Sequence, residues 1–215
     1  MSPYNNLDDF CENGWFHVYN RSNNKEVLFH NEFDCSLFLS RYQKYLGPFQ
    51  ITLSWSVLSN HFHFVIQLHS SQMIRDYLIH LYPGHRTNSE NQFINSALEL
   101  EQLIEKTWMR LFTSYAMRFN NTYKRKGNLF YRPFKRKKIE NEFQLKRAIG
   151  YVNTNAQKHG IVDDFRKYPW SSWHELINEV PSICAIQEVL DLFGGIQQFH
   201  NFHLDYAKSI PSQKD

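Results

Sequence analysis

Apolar residues recur along this chain with two different periods, and the switches between them mark out its strands and helices. Residues 15–19 read as a short first strand, closed by the polar turn Asn20-Arg21-Ser22-Asn23-Asn24. From Asn31 the spacing of Phe33, Leu37, Phe38, Tyr42 and Tyr45 is helical, and Gly47-Pro48 ends the helix. The period then becomes two. Phe49, Ile51, Leu53, Trp55 and Val57 alternate with Gln50, Thr52, Ser54 and Ser56, which predicts a strand with one apolar and one polar face. Leu58-Ser59-Asn60 turns the chain into a further strand over 61–68. That strand sends Phe62, Phe64, Ile66 and Leu68 to one side and His61, His63, Val65 and Gln67 to the other.

The remainder is mainly helical. A short helix over 72–81 is broken by Tyr82-Pro83-Gly84. One long helix, or two in series, covers 89–123, with Ile104, Trp108, Leu111, Tyr115 and Phe119 as its buried stripe. After the turn Lys126-Gly127-Asn128, residues 129–139 are extended and basic. Asn141 with Gln144 three residues on opens another helix, whose stripe is Leu145, Ala148, Ile149, Val152 and Ala156 and whose stop is Gly160. Ser172 with Glu175 predicts a second capping box. The order of elements predicts an α+β fold, a ferredoxin-like antiparallel sheet with helices packed on it. The main domain takes residues 1–174 and a helical C-terminal tail takes 175–215. In the tail, Val189, Leu192 and Phe193 lie on a helix that stops at Gly194-Gly195. A structural cover, a dimer contact and a lid are all open roles for it.

Charge changes the picture more than composition does. The net charge of the 215 residues is only +3, yet the segment from Arg110 to Lys138 holds ten Lys or Arg and no Asp or Glu. A mildly acidic protein thus carries one strongly basic stretch, the pattern of a polyanion footprint. A merely solvated face is the competing explanation. No apolar run is long enough for a membrane span. Residues 1–6 lack the pattern of a leader peptide. Three scattered cysteines (Cys11, Cys35 and Cys184) suit neither a disulfide framework nor a zinc knuckle. A cytoplasmic location is therefore expected.

Two groups of residues carry candidate chemistry. His61 and His63 share one strand face, close enough to hold one metal ion, although two half-buried strand histidines would look the same. Tyr151 and Asn155 are four apart on a helix and share a face, with Gln144, Arg147 and Lys158 near the same side. Alone, Tyr151 reads as a packing tyrosine. Together the two groups describe more. A divalent ion held by two imidazoles and an amide oxygen leaves coordination positions for a phosphate oxygen, and a tyrosine one turn away can attack the phosphorus. Phe119, Tyr123, Phe130, Tyr131 and Phe134 in the basic stretch are either stacking platforms for unpaired bases or core residues.

At these residues the chain resembles the HUH single-tyrosine transposases, and within them the REP-associated tyrosine transposases. The resemblance runs from Phe16-His17-Val18-Tyr19-Asn20-Arg21 through Leu58-Ser59-Asn60-His61-Phe62-His63-Phe64-Val65, which looks like the HUH motif. It continues in Arg125-Lys126-Gly127-Asn128-Leu129-Phe130 and Arg132-Pro133-Phe134-Lys135-Arg136. It ends in Gly150-Tyr151-Val152-Asn153-Thr154-Asn155 and Tyr168-Pro169-Trp170-Ser171-Ser172-Trp173. Two departures stand out. Ala156 replaces a proline common after the asparagine, and residues 82–106 make a longer stretch than in compact members.

The resemblance implies that His61, His63 and Asn155 hold Mg²⁺ or Mn²⁺ and that Tyr151 is the nucleophile. It implies a metal-binding endonuclease and strand transferase acting in DNA transposition and recombination. The product would be a 5′-phosphotyrosine with a free 3′-hydroxyl. The implied partner is single-stranded DNA bearing a hairpin, met by Arg118, Lys124, Arg125, Lys126, Arg132, Lys135, Arg136, Lys137, Lys138 and Arg147, with no membrane involved and a homodimer among the assemblies allowed. The alternatives are a catalytically idle protein of the same fold that binds DNA or RNA hairpins, and a phosphodiesterase that uses water.

Overall fold

The structure, a computed structural model, describes residues 7–181 and 183–209. Residues 1–6, where the missing leader pattern was read, and residues 210–215 of the tail lie outside the described residues. Four strands, β1 (Trp15–Arg21), β2 (Gln50–Leu58), β3 (His61–Leu68) and β4 (Lys135–Ile139), form one sheet in the order β2-β3-β1-β4. Every neighbouring pair is antiparallel. Helix α1 (Glu32–Leu46) joins β1 to β2. Helices α2 (Ser71–His80), α3 (Asn88–Ile94) and α4 (Leu100–Thr122) join β3 to β4. Without α2 and α3 this is the expected ferredoxin-like order. Beyond β4 come α5 (Glu142–Asn153), α6 (Asn155–Lys158), α7 (Trp173–Ile177), α8 (Ile186–Phe193) and α9 (Ile196–Lys208).

The alternation in β3 divides the interior in two. Phe62, Phe64 and Ile66 enter an aromatic core with Phe16 and Val18 of β1, Phe38 and Tyr42 of α1, and Trp108, Leu111 and Tyr115 of α4. Tyr42 stacks on Phe64 with ring centroids 3.9 Å apart, and its hydroxyl pairs with Thr52 at 2.7 Å. On the opposite face, Val65 belongs to a second core with Leu145, Ile149 and Val152 of α5, Val189 and Phe193 of α8, and Phe199 of α9. The tail is therefore the cover of α5, and the packing runs on without a break past residue 174.

Strand β2 departs from the single apolar face that its alternation predicts. Its pairing with β3 shifts between Thr52 and Ser54, a β-bulge at Leu53. Before the bulge Thr52 faces α1, and after it Trp55 and Val57 do. Leu53 packs in the second core, and Ser54 reaches Asn153 of α5. The extra residue thus gives α5 a polar anchor that simple alternation would have sent to the other face.

Helix starts follow their chemistry. Asn31 caps α1 and Asn141 caps α5, each accepting from the amide three residues on. The long helical region is two helices with a break between, where Ser96 has a φ of +58°. The box predicted at Ser172 does not form. The Ser172 hydroxyl is committed to Asn153, and the Glu175 carboxylate accepts instead from the amides of Ile183 and Cys184. Both side chains are taken up by partners outside the helix end.

Phe62 is fully buried. Phe62→Ala should therefore cost about 3–5 kcal/mol, measured as a lowered urea midpoint. The environment of the histidines on the other side of β3 should be preserved in NMR spectra of the imidazoles.

Candidate active site

The face of the sheet opposite the aromatic core carries a cluster of rings. Tyr19 of β1 lies opposite His63 of β3, and Arg21 lies opposite His61. His17, two residues before Tyr19, shares their face, and its Nε2 lies 2.9 Å from Nδ1 of His63. Tyr151 stands over this layer from α5, its ring centroid 5.6 Å from His63 and 5.8 Å from His17. The Lys158 ammonium sits 4.5 Å from the Tyr151 ring centroid. His159 packs edge-on against His61 at 4.9 Å. The rings open into a cleft of about 780 Å³ whose other walls include Arg21, Lys25, Asn60, Tyr131, Arg132 and Lys135.

Hydrogen bonds orient both imidazoles of the His-x-His pair. His61 Nδ1 lies 2.7 Å from Asn60 Oδ1, an atom that can only accept, so Nδ1 carries the proton and Nε2 keeps its lone pair. His63 uses Nδ1 toward His17, which leaves its Nε2 without a hydrogen-bond partner among the described residues. Binding a ring by one nitrogen and freeing the other is how protein metal sites prepare their histidines. Burial, with nearby positive groups, depresses the imidazoles. His17 and His61 fall to about 4, and His63 falls well below its ordinary value. All three are neutral at pH 7, the form that ligates metals.

Asn155 supplies the other observation. It is fully buried, and neither polar atom of its amide has a hydrogen-bond partner among the described residues. Such an orphan is costly unless something pairs with it. It opens α6 four residues after Tyr151, which lies in the last turn of α5 against His63, and four before His159, which follows α6 and packs on His61. Among the described residues no three His, Cys, Asp or Glu side chains converge as a metal cluster. The set here is instead two imidazoles and an amide, and it fits a hard divalent ion that keeps several water or phosphate ligands. Tyr151 and Asn155 do not sit on one unbroken helix as expected. The chain bends at Thr154, whose φ and ψ are −93° and 4°. Burial raises the Tyr151 phenol, with Tyr206 and Tyr19 adding to it, so it is not poised as a phenolate.

A solved structure of a REP-associated tyrosine transposase bound to a REP hairpin matches this chain with a TM-score of 0.57. The match covers 85% of this chain and 90% of that one, at 17% identity. This chain has the fold of a REP-associated tyrosine transposase. A scan of family models and a search of curated proteins return no match.

On that transposase fold the basic segment is divided rather than gathered. Arg132 and Lys135 line the cleft, and Lys137 lies opposite His17 on the same face. Arg136 points the other way and is buried. It pairs with Glu101 at 2.7 Å and Glu105 at 2.5 Å, and its guanidinium lies over the Phe10 ring. It therefore serves the fold and offers nothing to a phosphate. Lys138 extends toward Glu140 at 3.5 Å. Arg125 grips Glu26 and the carbonyls of Gly127 and Asn128, which shapes its turn. Lys124 and Lys126 are exposed in that turn, and Arg147 lies over Phe143 and Tyr206. Arg118, on the outer side of α4, lines a separate groove with Arg41 and Met117. The aromatics divide as well. Phe119, Phe130 and Phe134 are core, whereas Tyr131 is exposed in the cleft with Arg21 over its ring at 5.2 Å.

Sequence reading missed His17 and His159 as parts of this cluster. Each had a signal. His17 shares the β1 parity of Tyr19, and His159 continues the four-residue spacing of Tyr151 and Asn155.

The lowered imidazoles have a consequence for pH. Between about pH 6.5 and pH 4 the unfolded chain holds protons that folded His17 and His61 refuse. Their neutral burial is compatible with full stability above that window, and stability is lost as the pH falls through it. The urea midpoint should be lower at pH 5 than at pH 7, and imidazole carbon shifts should report both rings neutral at pH 5.5.

Proposed function

We propose that this protein is a metal-dependent single-stranded DNA endonuclease and strand transferase, a transposase-type enzyme that acts through a 5′-phosphotyrosine. The observation that carries the reading is three features brought together at the cleft and on the helical segment that borders it. They are a tyrosine beside paired neutral imidazoles, two Nε2 atoms without a hydrogen-bond partner among the described residues, and a buried amide likewise without one. The likeness to a transposase solved with a REP hairpin supports DNA carrying a hairpin as the substrate.

In this reading His61 Nε2, His63 Nε2 and the Asn155 amide oxygen hold Mg²⁺ or Mn²⁺. When bound, the ion supplies Lewis-acid polarisation of the scissile phosphate's non-bridging oxygens. The chain's own residues do the rest. Arg21, Lys25, Arg132 and Lys135 on the cleft walls neutralise the flanking phosphates, and Tyr131 offers a face to an unpaired base. The Tyr151 oxygen attacks phosphorus as the bond to the 3′-oxygen breaks. The phenolic proton is released and the departing 3′-oxygen gains one, so the strand ends as a 3′-hydroxyl and a phosphotyrosine. An unperturbed phenol near pKa 10 is a weak nucleophile at neutral pH, and the Tyr151 phenol is raised further by burial. The Lys158 ammonium beside the ring favours the developing phenolate. The phosphodiester energy is kept in the new ester, and a second 3′-hydroxyl can recover it by attack on the same phosphorus.

The test is incubation of the protein with hairpin-bearing single-stranded oligonucleotides and Mg²⁺ or Mn²⁺. Denaturing electrophoresis and peptide mapping should find an adduct on Tyr151 that is lost with chelator. Tyr151→Phe, His61→Ala and His63→Ala should each lower cleavage by about a thousandfold or more, with circular dichroism unchanged. Cleavage that survives Tyr151→Phe would make water the nucleophile.

Binding separates the two faces of β4. Lys135→Ala and Lys137→Ala should each weaken single-strand binding and reduce the salt slope by about 0.7. Arg136→Ala should leave that slope unchanged and lower stability by about 2–3 kcal/mol, read by fluorescence-detected binding and urea denaturation.

A further inference from the structure

A buried polar network that the site itself does not use lies beside the bend between Tyr151 and Asn155. Asn153, the last residue of α5, is fully buried, and so is His203 of α9. His203 Nδ1 lies 2.7 Å from the Phe199 carbonyl oxygen, which can only accept. Nδ1 therefore bears the proton, and in the neutral ring Nε2 is the acceptor. The Asn153 amide nitrogen donates to it at 3.1 Å. This fixes the amide's orientation and turns its oxygen toward the Ser172 hydroxyl at 2.6 Å and the Ser54 hydroxyl at 3.3 Å. Ser172 also accepts from the Trp55 amide at 3.0 Å. One side chain thus ties α5 to β2, to the segment before α7 and to α9. Ser54 faces it only because of the bulge in β2.

Packing converges on the same place. A Cβ on Gly150 would lie 2.9 Å from Phe202 and 3.2 Å from Tyr206, so α9 rests directly against the residue before Tyr151. The alternative, that Asn153 is simply a well-satisfied core amide, does not account for its position. It lies between the tyrosine and the orphaned Asn155 amide, at the bend that sets one relative to the other.

We propose that Asn153, clamped by His203 and Ser172, is a positioning residue that sets Tyr151 and Asn155 against the imidazole pair, which makes α9 part of the working site. The proposal rests on the reading of Tyr151 as the nucleophile. Positioning of a reacting group to within an ångström is worth large factors in rate, and none of the network need touch substrate.

The test compares His203→Leu, which removes the acceptor for Asn153, with His203→Gln, which restores one. Two readouts are taken on the full chain. The first is the single-turnover rate of Tyr151 adduct formation beside strand affinity. His203→Leu should slow the adduct step by about a hundredfold at unchanged affinity, and His203→Gln should recover most of it. The second is independent of activity. Amide hydrogen exchange over residues 150–156 should rise in His203→Leu, stay near wild type in His203→Gln, and be unchanged over α1 and α4 in both. An unaltered adduct rate in His203→Leu, or unaltered exchange over 150–156, overturns the proposal. If His203→Leu does not fold, Ser172→Ala is read in the same way with the same deciding outcomes. If the wild-type protein forms no adduct at all, the proposed function fails, and the exchange measurement still decides whether the network holds the bend.

Discussion

Strand β3 must satisfy two environments at once, and the rest of the structure is arranged around that requirement. Its two-residue period delivers Phe62, Phe64 and Ile66 to an aromatic interior and His61 and His63 to the opposite side. A one-residue slip would put imidazoles into the aromatic core and phenylalanines into the cleft. The register is therefore held by large forces. The stacking of Tyr42 on Phe64 and the burial of Phe62 keep the histidines where they are. Apolar packing on one face supplies the precision that the polar chemistry on the other face needs.

Electrostatics follow the same division. On the histidine side burial keeps the imidazoles neutral, while Arg21, Lys25, Arg132 and Lys135 stand in the walls of the cleft beside them. Arg136 shows how little a charge run says about where its charges go. In Lys135-Arg136-Lys137-Lys138 the alternation of β4 sends Lys135 and Lys137 to the site, while Arg136 is drawn under α4 by two carboxylates and an aromatic ring.

Much of this architecture was legible in the residues because local periodicity and tertiary burial agree there. The sheet, α1, the parity of β3 and the start of α5 at Asn141 all follow from patterns a few residues long. The failures share a cause. The bulge at Leu53 and the diversion of Ser172 from a helix cap to Asn153 are decided by partners far along the chain. The pairing of His61 with His63 could be read from their spacing. His17 and His159 carry only a parity and a spacing in the sequence, and it is sheet pairing and the approach of α6 that bring them to the pair.

The packing of α8 and α9 on α5 also orders events during synthesis. Helix α5 and its tyrosine leave the ribosome well before the segments that bury their apolar side, since Val189, Phe193 and Phe199 are encoded after them. Chains begin to fold from the N-terminal end as they emerge. The sheet and its aromatic core can therefore form while the apolar side of α5 is still uncovered. A translation product that ends before α9 would carry the histidines and the tyrosine but lack Phe199, which packs with α5 in the second core. Cover of the apolar side of α5 is thus a late packing step in the order of synthesis.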